Sequence, residues 1–129
     1  MMDLSQKSDE ELSRAIAEHI EPKPSEDFRG GTFANDVQSS PLKMWHRWIR
    51  GMDKSLNLKW QLRIDAVKGS AMTVMLLEKL PPGHVIDIED DGTVTIFRYE
   101  DVVPCGEGRL GRAVAETYAK AHRLFEGEL

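Results

Sequence analysis

The sequence predicts an α+β fold, an about four-stranded, mainly antiparallel sheet covered by three helices in the order α-α-β-β-β-β-α. Three observations carry this. Two stretches alternate apolar and polar side chains with the period of two of a strand, one of them interrupted by Asp-Asp-Gly. Three others space their apolar residues by three and four, the helical period. The length of 129 residues suits one domain, residues 1–129, with a hydrophobic core of its own.

The first helix opens at Ser8. With Glu11 it forms a capping box, the hydroxyl accepting from the third helical amide while the glutamate reaches back to the cap amide. Leu12, Ala15, Ile16, His19 and Ile20 follow as an apolar stripe, and Pro22 and Pro24 end it. His19 sits on the stripe's edge, where a packed histidine is commoner than a ligand. Residues 21–40 carry no regular pattern and read as a long irregular loop. Gly30 and Gly31 give it backbone freedom, and Phe28 and Phe33 give it two anchors. Such a loop is a packed surface segment, a binding loop, or an arm reaching a second subunit.

Ser40 followed by Pro41 reads as a helix start, a capping side chain before a residue with a preset φ and no amide to leave unpaired. A second helix is predicted over 41–54. Leu42, Trp45, Trp48, Ile49 and Met52 fall on its inner side, and Lys43, Arg47, Arg50 and Lys54 on its solvent side. Residues 58–66 alternate as a strand, with Leu58, Trp60, Leu62, Ile64 and Ala66 on one face. Lys68-Gly69 makes a two-residue turn that pairs Ala66 with Ala71 and Trp60 with Leu77. The partner strand, 70–79, is apolar on both faces and calls for cover on each side, from helices or from another subunit. A helix over 70–79 is the alternative. Residues 84–98 read as a hairpin, Gly92 left-handed, with Ile88 opposite Val94 and Ile86 opposite Ile96. A closing helix runs from Leu110 to about Phe125, with Val114, Tyr118 and Ala121 on the same side.

Composition narrows the function. The net charge is -5, which argues against a dedicated nucleic-acid coat. Its distribution is uneven: residues 41–69 hold 7 basic and 2 acidic side chains, and acidic segments flank them. No apolar run approaches the roughly 20 residues of a membrane span, and no secretory signal is visible at the N-terminus. A lone Cys105 suits a reducing compartment, and a cytoplasmic location is expected. His19, His46, His84 and His122 show no metal-ligand spacing, so neither metal nor cofactor is expected. Asp87, Glu89, Asp90 and Asp91 straddle a tight turn and read as solvated charges.

Two anion-binding sets remain. Lys43, Arg47, Arg50 and Lys54, joined by Lys59 and Arg63 from the next strand, would form a basic belt over residues 43–63 able to attract phosphates. The same cations could instead pair with the acidic loop or the acidic C-terminal segment. Gly106, Gly108 and Gly111 match the spacing of a dinucleotide fingerprint, but that fingerprint needs a following parallel strand with an acid about 20 residues on, and this chain ends inside or just after the helix. What is left there is a glycine-rich helix entry at which Arg109 and Arg112 would bind one anionic group.

The stretches "DEELSRAIAEHIEPKP" and "GRAVAETYAKAH" resemble the small phage-encoded proteins of the phage ABA sandwich domain family. That family opens with an acidic amphipathic helix and closes with an alanine-rich one. Its usual tryptophan-rich turn after the first helix is replaced here by "SEDFRGGTFAND". The resemblance implies helices packed over a sheet and a phage or prophage accessory protein, in the host cytoplasm, without catalytic residues. The expected function is therefore that of a non-enzymatic binding protein. It would occupy a host protein, a defence protein among the candidates, or sequester a small anionic nucleotide. Phe28, Phe33, Trp45 and Trp48 are the candidate partner-interface residues, and a homo-oligomer is expected. A second reading is a nucleic-acid-binding module using the belt. A third is an enzyme built on Cys105 and a histidine.

Overall fold

The computed structural model describes residues 4–34, 36–48, 59–62, 67, 69–100 and 103–126. The chain gathers into two compact units, one of residues 17–64 and one of residues 1–16 with 65–129. Helices and antiparallel sheets are mixed, as an α+β chain requires. The strands, however, form two sheets where one four-stranded sheet was expected. Among the described residues no helix is long and apolar enough to cross a membrane.

Helix α1 spans Asp9–Ile20. Its start is the expected capping box: the Ser8 amide donates to Glu11 Oε1 at 3.2 Å and the Glu11 amide to Ser8 Oγ at 3.1 Å. Asp9, Glu10 and Glu11 place negative charge in the first turn, where the helix dipole favours it. Leu12, Ile16 and Ala17 are buried.

In the unit of residues 17–64, β1 (Thr32–Ala34), β2 (Val37–Ser39), β3 (Trp45–Trp48) and β4 (Gln61–Leu62) form an antiparallel sheet in sequence order. The first two strands lie inside residues 21–40, so that segment is not wholly irregular. The correction at 41–54 is larger: residues 45–48 are strand and not helix, while 49–54 lie outside the described residues. Pro41 suits the second position of a turn as well as the first of a helix, because both need φ near its fixed value. Ser40 Oγ accepts from the Trp45 amide at 3.0 Å, closing a hairpin where a helix cap was predicted. Side chains then alternate: Trp45 and Arg47 are buried, His46 is half-buried and Trp48 is exposed. The strand thus separates the two indoles that helical spacing placed together. Of the strand predicted at 58–66, Gln61 and Leu62 are strand, and residues 63–66 lie outside the described residues.

In the other unit, α2 (Ser70–Lys79), β5 (His84–Ile88), β6 (Val94–Arg98), β7 (Pro104–Gly108) and α3 (Leu110–Ala121) follow in order. Residues 70–79 are helix, so the hairpin pairing Leu77 with Trp60 does not form; Gly69 is the helix's N-cap. Ala, Met, Leu, Glu and Lys are strong helix formers, and in "SAMTVMLLEK" they outweigh the one β-branched valine and the threonine. The hairpin stands as predicted, Ile88 opposite Val94 and Ile86 opposite Ile96, with Gly92 at φ 87°. β7 adds on the far side of β6, with a bulge at Ile96/Phe97. The closing helix ends at Ala121, short of Phe125, and Leu110 is exposed, while Val114 and Tyr118 are buried.

Helix α3 packs on β7, on β6 and beside α2. Two glycines allow it to come close. A Cβ on Gly106 would stand 2.1 Å from the Ala113 carbonyl oxygen, and one on Gly111 would stand 1.8 Å from that of Val67. The dinucleotide-like spacing therefore has a packing cause. Gly106→Ala is expected to destabilise the chain by about 1–3 kcal/mol, the usual range for overpacking, as read from urea unfolding followed by circular dichroism. An unchanged midpoint would contradict this account of the glycine.

Candidate functional site

The best-built feature of the described residues is the turn between β2 and β3. Just past α1, Glu21 is buried, with its amide donating to the Ala17 carbonyl at 2.9 Å. Its carboxylate accepts from the Ser40 hydroxyl, from the Leu42 amide at 2.8 Å and from the Met44 amide at 3.3 Å. Its backbone carbonyl accepts from Trp45 Nε1 at 2.8 Å. One acidic residue thereby collects four donors from residues 40–45. The turn is closed by the Lys43 amide on the Ser40 carbonyl and framed by the Ser40 amide on that of Trp45, both at 2.8 Å. Lys43 is held at φ 62°, a left-handed conformation costing a non-glycine residue on the order of 1 kcal/mol. At the tip Leu42 is 55% exposed and Lys43 is exposed. An apolar side chain and a cation are thus displayed on a turn that a buried carboxylate holds in shape.

Arg47 lies behind this turn and is 3% exposed. Its Nε donates to Gln38 Oε1 at 2.7 Å, Nη1 to the Glu26 carbonyl at 2.8 Å and Nη2 to the Phe28 carbonyl at 2.5 Å. Its guanidinium stacks 4.4 Å from the Trp60 ring centroid. Gln38 Nε2 in turn donates to the Gly30 carbonyl at 2.7 Å. Burial, then the nearby Arg29, pull the Arg47 pKa down, with Glu26 and Asp27 acting against them; an arginine nonetheless keeps its charge. The segment 26–30 is thus fastened to the sheet by a planar fork matched to two carbonyls and an amide oxygen.

The described part of the predicted basic belt is turn and strand, not helix. Arg47 points inward, Lys43 is at the turn tip, Lys59 is exposed, and Arg50, Lys54 and Arg63 lie outside the described residues. Of the partner-interface candidates, Trp45 is buried and Phe28 is half-buried, with its ring centroid 6.4 Å from that of Trp60. Phe33 and Trp48 are exposed. Phe33 pairs with Gln38 and Gln38 with Arg47, whereas Val37 pairs with Trp48. Phe33 and Trp48 therefore belong to opposite faces of the sheet.

The second anion set is also engaged in part. Arg112 donates to Glu116 at 2.5 Å, to Asp9 at 2.9 Å and to the Leu4 carbonyl at 2.8 Å. Burial pulls its pKa down, but those two carboxylates more than offset this and raise it. Lys120 Nζ donates to the Pro104 carbonyl at 3.3 Å. These groups line a cleft of about 710 Å³ beside Gly106 and Gly108, so its cations are spent on protein oxygens; Arg109 is exposed.

Cys105 and His84 share a smaller cleft of about 200 Å³, but they stand on β7 and β5 with β6 between them. Two strand spacings of about 4.8 Å separate their backbones, and His84 Nδ1 engages the Pro81 carbonyl at 2.8 Å. Among the described residues no group of three His, Cys, Asp or Glu side chains is arranged to hold a metal ion.

No protein-family model, curated protein or solved structure matches this chain. The site therefore rests on its own geometry. Sequence reasoning missed Glu21 and Gln38, whose partners in the turn and sheet lie 8 to 24 residues away along the chain. The one local hint was an acidic residue just past an apolar helix end.

Proposed function

We propose that this chain is a non-enzymatic binding protein of the phage-accessory type, which engages a host protein, a defence protein among the candidates, through the turn at residues 40–45. The observation that carries this reading is the Glu21 clamp, which holds a strained turn with Leu42 exposed. A turn ordered beforehand loses little conformational freedom on binding, so its contacts go further toward affinity. The apolar tip favours a protein surface over a nucleotide or nucleic acid, and the commitment of Arg47 and Arg112 to protein oxygens supports the same choice.

The test is affinity capture from a bacterial lysate with the wild-type chain and with Leu42→Asp, followed by titration of the retained protein. The expected result is one retained protein and at least a tenfold weaker Kd for Leu42→Asp, about 1.4 kcal/mol, with tryptophan fluorescence unchanged as evidence that the turn still folds. Equal binding by the variant would remove the turn from the interface. A wild-type chain that captures no protein but is stabilised by nucleotides or duplex DNA would replace this reading with anion binding.

A further inference from the structure

We infer that β5 is the seam of a homodimer, in which the β5 strands of two copies pair antiparallel about Ile86 and join two three-stranded sheets into one. Among the described residues β5 is an edge strand, bonded to β6 on one side only. Edge strands are normally blunted by charge, proline or a bulge, yet here Val85, Ile86 and Ile88 are exposed, Ile88 to 65%. Asp87 is the single charged residue among them. Val85 faces one side of the sheet and Ile86 and Ile88 the other, so apolar surface is open on both.

The register follows from the hydrogen-bond pattern. The Glu89 amide donates to the Thr93 carbonyl at 2.8 Å and the Tyr99 amide to that of Gly83 at 2.7 Å. The pairing between these two bonds is uninterrupted. Odd-numbered residues of β5 therefore turn their amides and carbonyls to β6, and His84, Ile86 and Ile88 turn theirs outward. A two-fold axis normal to the sheet at Ile86 sets Ile86 opposite its own copy and His84 opposite Ile88, so that every outward group on these three residues finds a partner. Val85 then lies opposite Asp87. An axis at Asp87 would bring two carboxylates face to face, and one at Val85 would set Pro82, which has no amide hydrogen, opposite Ile88.

Charge agrees with this choice. About Ile86, the acidic turn of one copy, Glu89 to Asp91, arrives beside Pro81–Gly83 of the other. There a shallow recess of about 460 Å³ is lined by His84, Arg98 and Tyr99, with Glu100 also on its wall. Arg98 stands directly opposite His84 on β6, so a negative turn meets the hairpin's more positive end.

Sedimentation velocity of the full chain over a concentration series tests the inference. The expected result is a dimer that dissociates on dilution, and a monomer at every concentration for Ile86→Lys, which sets two ammonium groups together on the axis; its circular dichroism should match the wild type because Ile86 is exposed. Arg98→Glu should weaken the dimer, and adding Asp90→Lys to it should restore association. A wild-type chain that stays monomeric, a dimer that survives Ile86→Lys, or a double exchange that restores nothing would overturn the inference. So would a monomeric chain that captures a different protein and loses it on Ile86→Lys, an outcome that assigns β5 to that protein.

Discussion

Replacing Glu21 with alanine should unfold the sheet β1–β4 or bring it close to unfolding. The carboxylate is buried and accepts from one hydroxyl and two backbone amides. Hydrogen bonds to a charged group are worth about 1.5–3 kcal/mol each, and every buried donor left without a partner costs about 1–3 kcal/mol. A net loss of about 3 kcal/mol or more is expected, a large share of what so small a unit commands. The readout is clean, because Trp45, Trp48 and Trp60 are the only tryptophans of the chain and all fall within residues 17–64. Urea unfolding followed by tryptophan emission therefore reports on this unit. Glu21→Gln keeps one acceptor oxygen and should retain roughly half of the lost stability. A Glu21→Ala midpoint near that of the wild type would mean that the clamp contributes little.

Arg47→Lys should be nearly as damaging as Arg47→Ala, contrary to what conserved charge alone would suggest. The guanidinium satisfies three acceptors in one plane while stacked on Trp60. An ammonium has neither the plane nor the fork and is more costly to bury. Alanine takes away the donor to Gln38 Oε1 and leaves the Glu26 and Phe28 carbonyls only their bonds from Arg29 Nη1, at 2.8 and 3.2 Å. A loss of about 3 kcal/mol is expected for alanine, from the cost of breaking a buried, hydrogen-bonded charged group, and more than half of it for lysine. Lysine behaving like the wild type would show that charge and not geometry matters at this position. These variants also guard against a misreading: loss of nucleic-acid binding in Arg47→Ala would report unfolding, not a lost phosphate contact.

Legibility varied with the distance over which each element is decided. The Ser8–Glu11 box, the hairpin through Gly92 and the closing helix were all readable. In each, propensity, turn chemistry and apolar spacing agree within a dozen residues. Residues 70–79 were ambiguous because an apolar run fits a buried strand and a buried helix alike, and the choice fell to side-chain propensity. The turn at residues 40–45, the candidate site, was not readable at all. Ser40 and Pro41 serve a helix start and a tight turn equally well, and the apolar spacing of Leu42, Trp45 and Trp48 favoured the helix.

Local order along the chain was enough to specify the mixed α+β class, the start of α1, the register of β5 with β6 and the presence of α3. Contacts at long range settled the rest. Glu21 draws three donors of residues 40–44 toward itself, and Gln38 with the carbonyls of Glu26 and Phe28 takes the Arg47 guanidinium. In a helix over 41–54 Arg47 would have shared a face with Lys43, in water. In a strand it alternates with Trp48 and turns inward, because its burial is compensated there by three oxygens, one for each of its nitrogens, and by the face of Trp60. Helical spacing along one segment carries no record of those oxygens, which lie 9 to 21 residues away in sequence.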